Sequence, residues 1–303
     1  MTKPLAGRAT WLYIDPFRRV FWRCMEIAFV PILFGLAAAL TWGAGDFSGG
    51  FASRRTSALG VVVFAHGFSM VLLLAAALVL REPMPPPGAW LWGGLAGLGG
   101  AFGLVLLYTA LASGRMSMAA PVSALVAAGV PVIFAALTDG LPSVWVMAGF
   151  VLALAAIWLV SGGGQARVRL TDFRLPVLAG LAFGFFFTTL HLASAETVIY
   201  PLIAVRVVSI SSLLIFSFVM RQPVSPCRES LFPILMSGLL DTLGNGFYAL
   251  AAQLGRLDVA AVLGSLYPGS TVLLAWIFLK ERINRRQMVG ILAALTAIVL
   301  MTT

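Results

Sequence analysis

Four ionisable side chains lie inside apolar runs of this 303-residue sequence, and their spacing pairs them: Asp46 with His191 at an offset of 145, His66 with Arg206 at an offset of 140. A carboxylate or guanidinium deep in hydrocarbon costs about 2.5 to 3.5 kcal/mol on insertion scales, so such groups face a protein interior or a wet cavity. Arg206 stands seven residues into its run. Always charged, it needs a carboxylate or carbonyls, and Asp46, Asp241 or a ligand carboxylate are the candidates. Asp241, Asn245 and Tyr248 in "LLDTLGNGFYAL" follow at i, i+4 and i+7, on one face of a helix. Tyr108 and Tyr267 complete the polar inventory. Together these types suit a small zwitterion: Arg206, Asp241 and Asn245 for its polar ends, His66 and the tyrosines Tyr108, Tyr248 and Tyr267 along its side, and Asp46 or His191 to exchange a proton. Each has a blander alternative. Asp46 in "WGAGDFSGG" is followed by "FASRR" and could sit solvated at a helix end. His66 and His191 could be hydrogen-bonded packing residues, and Tyr108 and Tyr248 members of an interfacial aromatic belt.

The elements that position these residues must be membrane helices. The chain is 60% hydrophobic and 10% charged with a mean hydropathy of +1.00, against about 25% charged residues in an ordinary soluble domain. Two cysteines, Cys24 and Cys227, have no Cys or His neighbours, which excludes a disulfide framework or a zinc site as the organising principle. No metal and no cofactor is expected. "GGLAGLGGAFG" at 93 to 103 contains GxxxG spacings and reads as helix packing. Without a following Lys-Ser or Lys-Thr and a preceding strand it is no phosphate loop.

With about 20 apolar residues per span, and charges and prolines as punctuation, ten spans are expected: about 27–46, 58–80, 89–112, 118–137, 143–161, 175–195, 199–220, 231–253, 259–279 and 286–302. The halves repeat. "GRMSMAAPVSAL" from Gly114 aligns with "GRLDVAAVLGSL" from Gly255, "ALAAIWL" at Ala153 with "ALTAIVL" at Ala294, "REP" at Arg81 with "RQP" at Arg221, and Tyr108 with Tyr248. The expected fold is thus an all-α membrane protein of two five-helix repeats, residues 27–161 and 175–303, joined by a linker at 162–174 and preceded by a basic, aromatic tail at 1–26.

Five is odd, so the second repeat should enter the bilayer inverted. The odd-numbered loops carry twelve Lys or Arg and the even-numbered ones two, Arg81 and Arg256. By the positive-inside rule this puts the odd loops in the cytoplasm and both termini outside. The tail, with Lys3, Arg8, Arg18, Arg19 and Arg23 among Trp11, Tyr13, Phe17 and Trp22, suits an anionic membrane surface instead, unless the chain starts at Met25. Basic residues scattered over separate loops make no stripe for nucleic acid. The expected partners are a small-molecule substrate and the lipid bilayer, with no obligatory partner chain.

The duplicated ten-span plan, "TWGAGDFSGGFASRRTSAL", "LASGRMSMAAPVSAL" and "LGSLYPGSTVLLAWIFLKERINRRQMVGILAAL" resemble the EamA-type transporters of the drug/metabolite transporter superfamily. The resemblance runs from about Met25 to the end. It implies a secondary carrier, not an enzyme, in the plasma (inner) membrane, exporting small metabolites such as amino acids by alternating access, with cytoplasmic termini. The loop charges depart from that last point. A rival comes from "GAGD" at Gly43 to Asp46, which matches the GxGD signature of intramembrane aspartyl proteases, with Asp241 as second carboxylate of a shared-proton dyad. Those proteases carry a Tyr-Asp span ahead of GxGD, whereas Asp241 comes after it and follows Leu240.

Overall fold

A computed structural model of the chain describes residues 16–113, 116–139, 143–161, 170–254, 260, 263–280 and 283–300. The first fifteen residues of the expected tail, residues 162–169 of the expected linker, and Arg256 lie outside them. The described residues form ten α-helices and no strand: α1 Pro16–Ala52, α2 Ala58–Leu80, α3 Pro87–Ala112, α4 Met116–Asp139, α5 Val144–Ser161, α6 Arg174–Ala193, α7 Ile199–Met220, α8 Leu231–Leu254, α9 Tyr267–Leu279 and α10 Arg285–Leu300, with short 3₁₀ turns before α6 and α8.

Five of these are long and apolar enough to cross a membrane: Val30–Ala52, Ala58–Leu80, Pro87–Ala112, Leu170–Ala193 and Ile199–Met220. Their outward faces are apolar too. Leu78 is 79% exposed on α2 and its repeat counterpart Phe218 is 86% exposed on α7, which suits lipid and not water. The protein is an integral membrane protein. α8 has the length but carries Asp241, Thr242 and Asn245, and α9, at 13 residues, reaches about 20 Å.

The first helix departs from the expected boundaries. It begins at Pro16, inside the expected tail, and runs unbroken through the glycines at 43, 45, 49 and 50 to Ala52, six residues beyond Asp46. Asp46 therefore does not sit at a solvated helix end; it is buried at 7% exposure.

Packing follows the repeat. α1 packs on α8 as α6 packs on α3; α2 packs on α8 as α7 packs on α3; α1 packs on α9 as α6 packs on α4. The pairs α2–α7, α4–α9 and α5–α10 each join an element to its own counterpart. Exchanging the two halves leaves this pattern unchanged. α2 and α7 run antiparallel, because the start of each meets the loop that follows the other. Ser57, the N-cap of α2, donates to the Pro223 carbonyl at 3.1 Å. At the opposite end Glu82 accepts from the first N–H groups of α7, Val198 at 3.2 Å and Ile199 at 2.9 Å, where a carboxylate complements the helix dipole. The "REP" and "RQP" motifs now have a structural reason. Arg81 and Arg221 close α2 and α7 in the left-handed conformation, φ 49° and 52°, and the residue before each proline is then steered away from helix. The same contacts group the loops by number: the ion pair Arg55–Glu229, at 2.6 Å, joins loops one and seven, and Glu82 joins loops two and six.

Two glycines, one in each half, set the central packing distance. A Cβ on Gly97 of α3 would lie 2.5 Å from the Val205 carbonyl oxygen of α7, and one on Gly238 of α8 would collide with the Ala65 carbonyl of α2. Ala65 and Val205 immediately precede His66 and Arg206, so both glycines let a neighbouring helix press against the backbone that holds the central charges. Gly97→Val and Gly238→Val should each destabilise the protein by about 1 to 3 kcal/mol, read as a lower thermal unfolding temperature in detergent. Gly246→Ala, with open space at its Cβ, should leave it unchanged or raised.

Candidate functional site

The site begins with one side chain, Arg206, 2% exposed in the middle of α7. Its guanidinium is bonded on every nitrogen. Nε donates to Ser69 Oγ at 2.6 Å, Nη1 to His66 Nε2 at 3.1 Å, and Nη2 to Asp241 Oδ2 at 2.5 Å. Because a guanidinium has no acceptor, His66 Nε2 must accept. The imidazole is then neutral with its proton on Nδ1, donated to Ser209 Oγ. The approach of His66 Nε2 to Asp241 at 3.8 Å is accordingly no ion pair. Ser69 passes its own proton to Thr242 Oγ1 at 2.5 Å, and Thr242 donates to the Gly238 carbonyl at 2.6 Å.

These bonds cross between the halves reciprocally. His66 and Ser69 lie one turn apart on α2, Arg206 and Ser209 one turn apart on α7. Each basic residue bonds the serine of the other helix, as two antiparallel helices related by a two-fold axis require.

On the other side of the ion pair, Asp241 Oδ2 also accepts from Asn245 Nδ2 at 3.2 Å, one turn along α8. Asn245 Oδ1 accepts from Trp42 Nε1 at 3.0 Å, which ties the network to α1. Trp42 stacks on Phe187 of α6 and on Tyr248 of α8, each with ring centroids 5.4 Å apart, and Phe187 and Tyr248 meet at 5.3 Å. Gly244 makes room for the indole.

Between these elements lies a cavity lined by Asp46, His66, Arg206, Asp241, Asn245 and Tyr267, with Trp42, Phe183, Phe186 and Phe187 as its aromatic wall and Gly100 and Leu104 closing it. Its volume of about 40 Å³ holds about three waters at roughly 10 to 15 Å³ each. Asp46 makes no hydrogen bond among the described residues, although Asp241 and Tyr267 are within electrostatic reach. The buried hydroxyls of Tyr267 and Ser123 approach each other without closing a hydrogen bond.

The structure thus brings Asp46, His66, Arg206, Asp241, Asn245 and Tyr267 to one cavity, and leaves three of the expected residues out of its lining. Tyr108, 1% exposed, bonds Ser237 Oγ at 2.8 Å behind the wall. Tyr248 is fully buried against Trp42 and Phe187. Neither belongs to an interfacial belt. His191 lies half-buried in the last turn of α6, outside the lining, although its repeat counterpart Asp46 is inside. A proteolytic dyad requires two carboxylates in hydrogen-bond contact; Asp241 bonds Arg206 and Asn245, and Asp46 does not bond it, so the geometry gives that rival no support.

Sequence reasoning missed the serines and the aromatic wall. Ser69 and Ser209 share the offset of 140 that pairs His66 with Arg206, and Trp42 and Phe187 share the offset of 145. The same arithmetic could have found them. Phe183 and Phe186 carried no signal beyond hydrophobicity.

A family model described as "EamA-like transporter family" matches the chain twice, over residues 29–162 and 175–303. No curated protein matches. A solved structure described only as "Crystal structure of protein" is similar over 89% of this chain and 96% of its own, at 14% sequence identity with a TM-score of 0.65; at that identity the likeness concerns the fold alone.

Breaking a buried ion pair on one side leaves an uncompensated charge, which costs about 3 to 5 kcal/mol. Arg206→Ala should therefore destabilise the protein strongly in detergent thermal unfolding. Replacing both partners, Arg206→Met with Asp241→Leu, should recover most of the loss.

Proposed function

The chain belongs to the EamA-like transporter family, and from that premise we propose that it is a secondary transporter of the plasma membrane that exports small metabolites, amino acids or related compounds, by alternating access. Its ten helices form two five-helix repeats inserted in opposite senses, residues 27–161 and 175–303, with α8, α9 and α10 crossing alongside their more apolar counterparts. The observation that carries this reading is the polar cavity at the junction of the two halves, reached by α1, α2 and α3 from one and α6, α7, α8 and α9 from the other. An oppositely charged pair buried at the middle of a membrane protein is costly to maintain, and a cavity between exchangeable halves is where a carrier of this architecture binds its cargo.

The exchangeable packing supports alternating access. If α1 can pack on α8 and α9 as α6 packs on α3 and α4, then rocking one half against the other opens the chamber to one side and then to the other. The small cavity volume fits an arrangement between those openings. The two groups of loops support inversion, since loops one and seven share one side of the molecule and loops two and six share the other. In the mechanism, Arg206 and Asp241 form the polar floor, Asn245 orients Asp241, and Trp42 and Phe187 line the path.

Purified protein in proteoliposomes, screened by counterflow with amino acids, nucleosides and organic cations, with and without a pH gradient, should show saturable exchange of at least one class. The Arg206→Met, Asp241→Leu protein should fold and lose that exchange. Absence of exchange for every class would overturn the transporter reading, and full exchange in the double variant would overturn the site.

A further inference from the structure

The cavity holds one carboxyl group that nothing in it answers. Arg206 and Asp241 compensate each other at 2.5 Å, and the hydrogen bond from Arg206 Nη1 keeps His66 Nε2 an acceptor and the imidazole neutral. Asn245 donates to Asp241 Oδ2 and accepts from Trp42 Nε1. Asp46 remains: 93% buried, lining the cavity, without a hydrogen bond among the described residues and without a second cation among the lining residues. An isolated carboxylate in such surroundings is unstable by several kcal/mol unless a proton or a positive charge joins it. The rest of the wall is built for such a charge. Trp42, Phe183, Phe186 and Phe187 surround the space, and the faces of aromatic rings attract cations while their bodies accept apolar groups. The Tyr267 hydroxyl, buried and without a closed hydrogen bond, lies within electrostatic reach of Asp46 as a further polar contact.

We propose that Asp46 is the counter-charge for a small organic cation, a primary or substituted amine with an apolar or aromatic body, and that the site takes such amines in preference to zwitterions and anions. The proposal rests on the transporter reading in taking this cavity for the cargo site, and it refines that reading in substrate class. Within it Arg206 is a positioning residue. Three of its five N–H donors are engaged by Ser69, His66 and Asp241, and Asp241 already supplies its counter-charge, so a ligand carboxylate would compete with Asp241, whereas an ammonium at Asp46 meets a carboxyl that has no partner.

Three compounds with one aromatic body and different charge test this: 2-phenylethylamine, phenylalanine and 3-phenylpropionate. Equilibrium binding to the purified full chain in detergent or nanodiscs should be tightest for the amine, weaker for the amino acid and absent for the acid. Asp46→Asn should weaken amine binding by about tenfold or more, as loss of a charged hydrogen bond requires, and should abolish the preference; Asp46→Glu should keep it. Monodisperse elution and unchanged helical content of both variants establish that they fold. Phenylalanine binding as tightly as the amine, no binding by any of the three, or undiminished amine binding in Asp46→Asn would overturn the proposal; the last result would make Asp46 a proton carrier alone. Because binding is read without flux, an amine that binds but is not exchanged defeats the transporter reading and leaves the charge assignment standing, while exchange of zwitterions alone does the reverse.

Discussion

A guanidinium in the centre of a membrane protein cannot be neutralised by losing its proton, so everything around Arg206 is arranged to keep its donors occupied. That constraint reaches four helices. Ser69 and His66 come from α2, Asp241 from α8, and Asn245 on α8 passes the network to Trp42 on α1. Each partner is fixed in turn by a bond of its own, Ser69 by Thr242 and His66 by Ser209. The result is a polar core inside an apolar bundle, where van der Waals packing and hydrogen bonds are what hold helices together.

Small residues make that core possible. The short side chains of Ser69 and Thr242 reach one another across α2 and α8 only where the two backbones approach closely. Gly97 and Gly238 provide the approach on either side of the α2–α7 pair, and Gly244 and Gly49 accommodate the rings of Trp42 and Tyr108. The glycines therefore set the distances at which the charges operate. They place no strain on the helix backbone: α1 passes through its four central glycines without interruption, and the left-handed residues among those described, Arg81, Arg221 and Lys280, are helix C-caps.

Much of this was legible in the sequence because duplication makes offsets informative. The offset of 140 marked His66 and Arg206 as equivalent positions of the repeat, and the two side chains meet across the α2–α7 pair. The i, i+4 spacing of Asp241 and Asn245 placed them on one face of α8, where they share a hydrogen bond. Less was legible where several outcomes had the same local pattern. The glycines of "WGAGDFSGG" fit a broken helix, an ending helix or a closely packed one; what decides is that Ser270 and Tyr267 of α9 lie against Gly43 and the Asp241 backbone of α8 approaches Gly45, contacts more than 190 residues away. The offset of 145 also misled at His191, since α6 ends two residues later whereas α1 continues for six beyond Asp46. Equivalent sequence positions there have unequal depths.

The reciprocal pairing of His66 with Ser209 and Arg206 with Ser69 bears on the history of the chain. Two identical polypeptides related by the same axis would oppose each residue to its own copy. Arginine would then confront arginine across a few ångströms, each with its own Asp241 but without the neutral acceptor that His66 supplies, and histidine facing histidine would supply no permanent charge at all. Joining both halves in one polypeptide removes that identity, so one position can become a fixed cation and its twin a neutral acceptor. A fixed cation beside a neutral acceptor is thus a property that fusion made accessible, and a split version of this protein would regain it by pairing its two unlike halves.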